Sequence, residues 1–249
     1  MKHIVQFSGG KDSTAMLLMM LEREMPIDYI LFCDVGKEFP QMYEHIKKVN
    51  VYIKEHYNKE ITFLKDDLGF DYWFSKRERI RGKNKGIKGY GWASMRVRWC
   101  TYLLKTNVTK NFLSALNEPY TEYIGIAYDE PKRHKIRAAN VVHPLYDWHI
   151  TEKEALEYCY NKGFDWNGLY EHFDRVSCYC CPLKRVNEYR VLYNDFPDLW
   201  QDLREMDKEA YNKFTSSYTV DELEKWFKYE NDNNLSPQRI KRKILDRLP

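Results

Sequence analysis

The sequence predicts an α/β fold in three layers: a mostly parallel five-stranded sheet between helices, followed by a helical C-terminal segment. Three observations carry this. Apolar runs of strand length alternate with longer runs of helical length. The first two strand-like runs flank one helix at the spacing of a right-handed βαβ unit. Both of those runs end in glycine-bearing turns, as strands feeding a ligand-binding sheet edge do. A chain of 249 residues permits one large domain, or a domain with a smaller appendage, and a hydrophobic content of 43% is enough for a core. No apolar stretch reaches membrane-spanning length and no leader pattern opens the chain, so a cytoplasmic protein without a membrane partner is expected. Three of the six cysteines fall within four residues, which suits metal binding or reactivity better than a secreted disulfide framework.

The elements follow in order. Residues 3–7 are a strand, and the apolar run 15–21 belongs to a helix. Ser8-Gly9-Gly10-Lys11-Asp12-Ser13 joins them. Glycines there let the backbone approach a ligand, and the first-turn N–H groups of the helix favour an anion. Lys11 adds a mobile positive charge, Ser8 and Ser13 offer hydroxyls to phosphate oxygens, and Asp12 is suited to capping the helix or to a metal-bound water. After Pro26, residues 28–33 form a second, buried strand ending in Asp34-Val35-Gly36, at the same sheet edge as the Ser8 loop. Residues 41–58 are an amphipathic helix through Met42, Ile46, Val49 and Ile53, and 61–64 a third strand. Residues 123–127 and 141–145 are the last two strands. Thr151 with Glu154 forms a capping box for the helix beyond. From residue 187 onward the chain reads as helices, with starts at Pro197 and at Thr219 with Glu222, and a basic amphipathic end over 238–248.

One segment departs from this alternation. Residues 75–99 hold nine lysines and arginines against one acid, Glu78, in a chain of net charge +3, so the remainder is net negative. Four glycines and Tyr90, Trp92 and Trp99 are interspersed. The segment reads as a solvated surface loop, a flexible basic lid over a polyanion, or a nucleic-acid groove whose aromatic rings stack on bases. The residues do not separate a lid from a groove. A second focus is Ser177-Cys178-Tyr179-Cys180-Cys181-Pro182: Cys178 and Cys181 have the spacing of two thiolates on one metal or cluster. With Cys180 and the distant Cys100, three or four thiolates fit either zinc or a [4Fe–4S] cluster. Cys33 and Cys159 lie in apolar elements and read as structural.

These motifs carry a resemblance. Ser8 to Ser13 matches the SGGxDS pyrophosphate loop of the PP-loop ATP pyrophosphatase superfamily, the adenine nucleotide alpha hydrolase-like proteins. It is not a Walker loop. Asp34 to Gln41 resembles the DTGxEFPET segment of PAPS reductases, with Val35 in place of threonine. Cys100 to Lys105 resembles the CTxxLK segment shared by PAPS reductases and the small subunit of ATP sulfurylase. Gly125 to Arg133 is similar to their G-I-R-x-D-E-x-x-R segment, with Ala127 at the arginine, and Pro144 to Trp148 matches Pro-Leu-x-x-Trp. The resemblance spans roughly residues 3–185. It implies a Rossmann-like nucleotide-binding domain over 1–185, with 75–99 as a basic mobile insertion and 186–249 as a helical extension.

From that resemblance follow ATP, or a sulfonucleotide, as the nucleotide and Mg2+ as its ion. Lys11, Asp12, Asp129 and Arg133 are the expected catalytic groups, with Glu130 beside Asp129 as a further magnesium candidate. Ser8, Gly9, Gly10, Lys11, Asp12, Ser13, Asp34, Gly36 and Gly125 are the expected nucleotide contacts. The resemblance also favours iron–sulfur over zinc at Cys100, Cys178, Cys180 and Cys181, with Cys100 in a motif facing the site. Assimilatory APS reductases hold a cluster with a tandem Cys-Cys and a distant Cys-x-x-Cys. Here the order is reversed, with the adjacent pair last. Cysteine-bearing Glu-Cys-Gly-Leu-His, which supplies the nucleophile of PAPS and APS reductases, has no counterpart after Cys181. The expected function is therefore adenylation of an acceptor with release of pyrophosphate, followed by sulfur transfer, as in tRNA thiolation and DNA phosphorothioation enzymes. Alternatives are sulfonucleotide reduction, sulfate adenylyltransferase-like activity, and a non-catalytic nucleotide- or nucleic-acid-binding module. Expected partners are the nucleotide substrate, a nucleic acid at 75–99, a sulfur-donor or other partner protein, and a second copy of the chain.

Overall fold

The computed structural model describes residues 1–136 and 138–237; the basic end expected at 238–248 lies outside the described residues. The described chain divides into two compact units, one of Met1–Asp66 with Leu103–Ser177, the other of Asp67–Tyr102 with the chain from Cys178 onward. This differs from a linear boundary at 185/186, because the segment containing 75–99 packs as part of the second unit. Among the described residues, no helix is long and apolar enough to cross a membrane.

The first unit is the α/β unit. Its elements are β1 (Lys2–Gln6), α1 (Lys11–Glu22), β2 (Tyr29–Cys33), α2 (Pro40–Tyr57), β3 (Ile61–Leu64), α3 (Asn107–Leu116), β4 (Tyr120–Ile124), β5 (Val141–Val142) and α4 (Glu152–Asn161). The sheet order is β3-β2-β1-β4-β5 and every pairing is parallel. The fold is thus Rossmann-like α/β. The chain builds outward from β1 to β3, then returns to place β4 on the other side of β1. Loops leaving β1 and β4 therefore diverge at a topological switch point, where open sheets bind ligands.

Burial explains the layers. Alternate residues Ile4 and Leu31 face Leu113 of α3, and Phe112 and Leu116 pack against that cluster. Val5, Ile30 and Phe32 point to the opposite face and are equally buried. By the right-handed crossover rule, the connections β1–α1–β2 and β2–α2–β3 place their helices together on that second face. Helix α1 is buried nearly all round, from Ser13 to Leu21, as a helix between layers must be.

Two strands differ from expectation. β4 runs over Tyr120–Ile124, not 123–127, because its partner β1 ends at Gln6, opposite Ile124. β5 stops at Val142: Pro144 has no N–H for a ladder and instead opens a helical turn, Pro144–Asp147. The capping box of Thr151 and Glu154 is present at α4.

The second unit is helical, with α5 (Val186–Asp195), α6 (Pro197–Glu209) and α7 (Val220–Asp232). Its centre is aromatic. Trp92 packs edge-on against Phe74 and Phe214, and Tyr90 stacks on Trp99. Buried Arg190 and Glu230 pair at 2.7 Å, and Trp226 donates its Nε1–H to the same carboxylate.

Candidate active site

The Ser8–Gly10 turn leaves β1 and enters α1 at the switch point. Gly9 has φ +78°, and a Cβ there would lie 2.8 Å from Met42 Sδ and 3.0 Å from Ile46 Cγ1 on α2. Glycine is required on both counts. Its carbonyl accepts a 2.7 Å hydrogen bond from Trp166 Nε1. Trp166 in turn stacks on His45, whose Nε2 lies 3.1 Å from Thr14 Oγ1. Burial pushes the His45 pKa down to about 3, so this ring is neutral. A rigid floor of uncharged groups results.

Ser13 is buried and its hydroxyl donates to the Gly10 carbonyl at 3.0 Å while accepting from Ser8 N at 3.1 Å. It braces the turn from within, whereas the sequence assigned it to phosphate. Ser8 remains exposed, its Oγ 3.0 Å from Ser13 Oγ. Lys11 is not the mobile charge expected. Its side chain is buried, with Nζ 2.8 Å from Glu152 Oε2 and 3.3 Å from the Asp174 carbonyl. Tyr170 accepts the Lys11 backbone N–H at 2.8 Å and lies beneath Nζ.

Acidic groups gather at the first turn of α1. Asp12, Glu130 and Glu152 each place a carboxylate oxygen within 4.8 Å of the others. Asp12 Oδ1 is buried without a hydrogen-bond partner. Burial, reinforced by Glu152 and Glu130 and opposed by Lys11 and Arg175, pushes the Asp12 pKa up to about 6. Arg133 NH1 donates to both oxygens of Glu130 at 2.7 Å, so it neutralises this carboxylate in place of the phosphate or sulfate expected. Asp129 stands outside the trio and accepts the Glu152 backbone N–H at 3.0 Å, which makes it a positioning group for Glu152. Gly125 makes this convergence possible: a Cβ there would sit 2.9 Å from the backbone of Asp12 and Ser13.

At the end of β2, Asp34 Oδ1 accepts from Gly36 N at 2.8 Å and from Tyr43 Oη at 2.7 Å. That oxygen is committed to the turn. Cys33 lies 3.1 Å from Thr109 Oγ1 on α3, and fully buried Cys159 contacts the Lys11 carbonyl, so both are structural thiols.

Cys100, Cys178, Cys180 and Cys181 all belong to the second unit, none in a disulfide. Cys181 N–H donates to the Cys178 carbonyl at 3.1 Å, so these two share one turn. Cys180 is buried, and the Tyr189 hydroxyl holds the Cys181 carbonyl at 3.0 Å. Cys100 is half-buried in the helical turn Trp99–Thr101.

The segment 75–99 is no unattached lid. Trp92 and Trp99 are buried, and Trp92 Nε1 donates to Asp207 at 2.6 Å. Rings that sequence reasoning offered to nucleobases are core of the second unit. Glu152, Trp166, Tyr170 and His45 were missed by that reasoning. Glu152 carried one local signal, its place beside the Thr151 capping residue.

Comparison with known proteins sharpens this picture. The model of the phosphoadenosine phosphosulfate reductase domain matches residues 2–184. The chain belongs to this family. Two uncharacterized proteins of Methanocaldococcus jannaschii are 25% and 26% identical over 80% and 78% of the chain. The chain spans only 40% and 44% of their lengths. Among solved structures, the phosphoadenylyl-sulfate reductase from Candida auris in its phosphate complex is 15% identical with a TM-score of 0.42, covering 68% of this chain and 76% of that one. The U34-tRNA thiolase NcsA from Methanococcus maripaludis, with its [4Fe-4S] cluster, is 15% identical with a TM-score of 0.39, covering 97% and 83%.

Proposed function

We propose that this family member is an ATP-using enzyme that adenylates an acceptor, releases pyrophosphate and supports sulfur transfer, a nucleic acid being the acceptor that the basic segment suits. The observation that carries this reading is the pairing of a glycine turn and helix N-terminus with the orphaned Asp12 Oδ1 in an acidic trio. A bare anion would be repelled by Asp12, whose Oδ1 has no partner, whereas Glu130 is paired with Arg133 and Glu152 with Lys11. A polyphosphate accompanied by a hard divalent cation meets both halves of the site. Asp12, Glu130 and Glu152 are oxygen donors suited to Mg2+, which when bound supplies charge neutralisation at the phosphates.

The chain's own groups then act as follows. The first-turn N–H groups of α1 other than that of Lys11, which Tyr170 holds, and the Ser8 hydroxyl receive the β- and γ-phosphates. Lys11 transfers its charge from Glu152 to the departing pyrophosphate, stabilising the transition state at the α-phosphate. An acceptor oxygen attacks the α-phosphorus as the bond to pyrophosphate breaks. Sulfide, supplied by a donor protein, then displaces AMP, which leaves with the acceptor's oxygen, and takes the place of that oxygen. The thiolates of Cys100, Cys178, Cys180 and Cys181 are soft donors of the kind a [4Fe–4S] cluster takes, with zinc as the alternative, although among the described residues no three of them converge on a single ion; a cluster held there would supply a site for sulfur.

The test is magnesium-dependent release of pyrophosphate from ATP, assayed with adenosine phosphosulfate as the competing nucleotide. Lys11→Ala is expected to abolish release while leaving the fold intact by circular dichroism. Pyrophosphate release that survives this substitution refutes the assignment.

A further inference from the structure

The segment between residues 76 and 90 has two kinds of cation, and the structure separates them. Arg77 lies 5.2 Å from the Trp73 ring and 5.3 Å from Tyr90, and NH1 donates to the Tyr90 hydroxyl at 2.7 Å. Arg79 lies 5.0 Å from Tyr90 and 4.6 Å from Tyr211, and donates to the Gly89 carbonyl at 2.8 Å and the Tyr211 hydroxyl at 2.9 Å. These two arginines are interleaved with aromatic rings and hold the base of the segment. Above that base the chain doubles back on itself. Glu78 and Lys88 form an antiparallel bridge, Arg79 N–H donates to the Ile87 carbonyl at 3.1 Å, and Gly86 N–H donates to the Arg79 carbonyl at 2.8 Å.

The second kind of cation is free. Lys76, Arg81, Lys83, Lys85 and Lys88 are exposed, and none has a carboxylate partner among the described residues. Glu78 is the only acid between them. Charge repulsion among five such groups destabilises the hairpin unless an anion of matching extent lies against it. The remainder of the chain is net negative, so among the described residues this basic segment is where a polyanion is drawn.

We propose that this hairpin docks the phosphate backbone of a duplex nucleic acid, with Arg81, Lys83, Lys85 and Lys88 on successive phosphates. The proposal deepens the acceptor named above and rests on that reading. Two features select a duplex. Free cations strung along a projecting hairpin match a long row of phosphates, whereas a small polyanion needs convergent groups. Single-strand binding uses open aromatic platforms, and here Trp92 and Trp99 are buried and Tyr90 is half-buried against Arg77 and Arg79, which leaves Tyr211, beside Arg79, exposed. Recognition through phosphates alone carries no base readout, so binding is expected to be insensitive to sequence.

The experiment is fluorescence anisotropy without ATP, using DNA and RNA duplexes of about 20 base pairs and an oligo-dT strand of the same length, over roughly 50 to 200 mM salt. Either duplex is expected to bind more tightly than oligo-dT, with affinity falling steeply as salt rises. Combining Lys83→Ala, Lys85→Ala and Lys88→Ala is expected to flatten the log–log salt dependence by about 2 to 3, from about 0.9 for each phosphate no longer neutralised. Circular dichroism confirms that this variant keeps its fold. Absence of binding to both duplexes at the lowest salt, a salt dependence unchanged in the triple variant, or preference for oligo-dT overturns the proposal. Because binding is read without nucleotide turnover, failure here and failure of pyrophosphate release are separate results.

Discussion

Asp12→Asn gives the most discriminating test of the site's electrostatics. Asp12 is the acid whose pKa is moved from 3.8 to about 6, chiefly by burial. A folded-state pKa above the unfolded value means that the fold prefers the protonated acid. The stability this contributes is full below about pH 3.8 and is lost as pH rises through about 6. At neutral pH the wild-type protein therefore carries a penalty for the ionised carboxylate, of order 2–3 kcal/mol at about 1.4 kcal/mol per tenfold. Asparagine has nearly the same shape and no charge. The variant is expected to melt about 4–10 °C higher than wild type at neutral pH without divalent ions, the difference shrinking to near zero at about pH 4. Thermal unfolding of both proteins across that range, read as the difference between them, isolates this one group. Millimolar magnesium is expected to raise the melting temperature of wild type and leave that of the variant unchanged. A variant that melts lower than wild type at neutral pH, or a difference independent of pH, refutes the reasoning.

Two further outcomes follow from close contacts and from donor chemistry. Gly125→Ala introduces a Cβ at 2.9 Å from the backbone of Asp12 and Ser13, and backbone on that side cannot move without shifting α1. It is expected to cost about 1–3 kcal/mol in chemical denaturation and to suppress ATP-dependent pyrophosphate release in the protein that remains folded. Protein purified without oxygen is expected to be brown, with a broad absorption near ~400 nm and about four irons per chain. Cys178→Ser or Cys181→Ser removes the colour. Stoichiometric zinc in place of iron refutes the cluster.

The α/β architecture was legible because its signals are local. Runs such as 28–33, a glycine turn after the first strand and the capping box at Thr151 each declare an element within a few residues. The glycine turn between β1 and α1 was legible for the same reason. What lies around it was not. Glu152 meets Lys11 across 141 residues, and Trp166 reaches Gly9 across 157. A single sequence gives no signal at such separations beyond composition. Residue type misled at Asp129, where an acid next to Glu130 looked like an ion ligand; a difference of one position aims it at the Glu152 amide instead. Aromatic residues misled at 75–99, because a buried tryptophan and a base-stacking tryptophan are the same letter. Only the fold shows that Trp92 and Trp99 face inward.

Lys11 ties the proposed chemistry to the folded site. Its ammonium is buried, so its charge must be met at every stage by an opposite charge nearby. Before nucleotide arrives, Glu152 meets it at 2.8 Å, with the Asp174 carbonyl accepting a further hydrogen bond. Under the proposed function, a polyphosphate and a divalent cation enter together, and the two partners exchange. Lys11 would turn to the phosphate, while Glu152, held in place by Asp129 through its own amide, would be free to hold the cation together with Asp12. Neither buried charge is left alone, and the ionised form of Asp12, which burial disfavours, gains a partner. Binding of the ion alone is therefore expected to be weak below about pH 6, where Asp12 holds a proton, and to strengthen above it. A site in which deprotonation of Asp12 is costly until the metal–nucleotide pair is present favours the productive complex over either component, because each component alone leaves one buried charge unmatched.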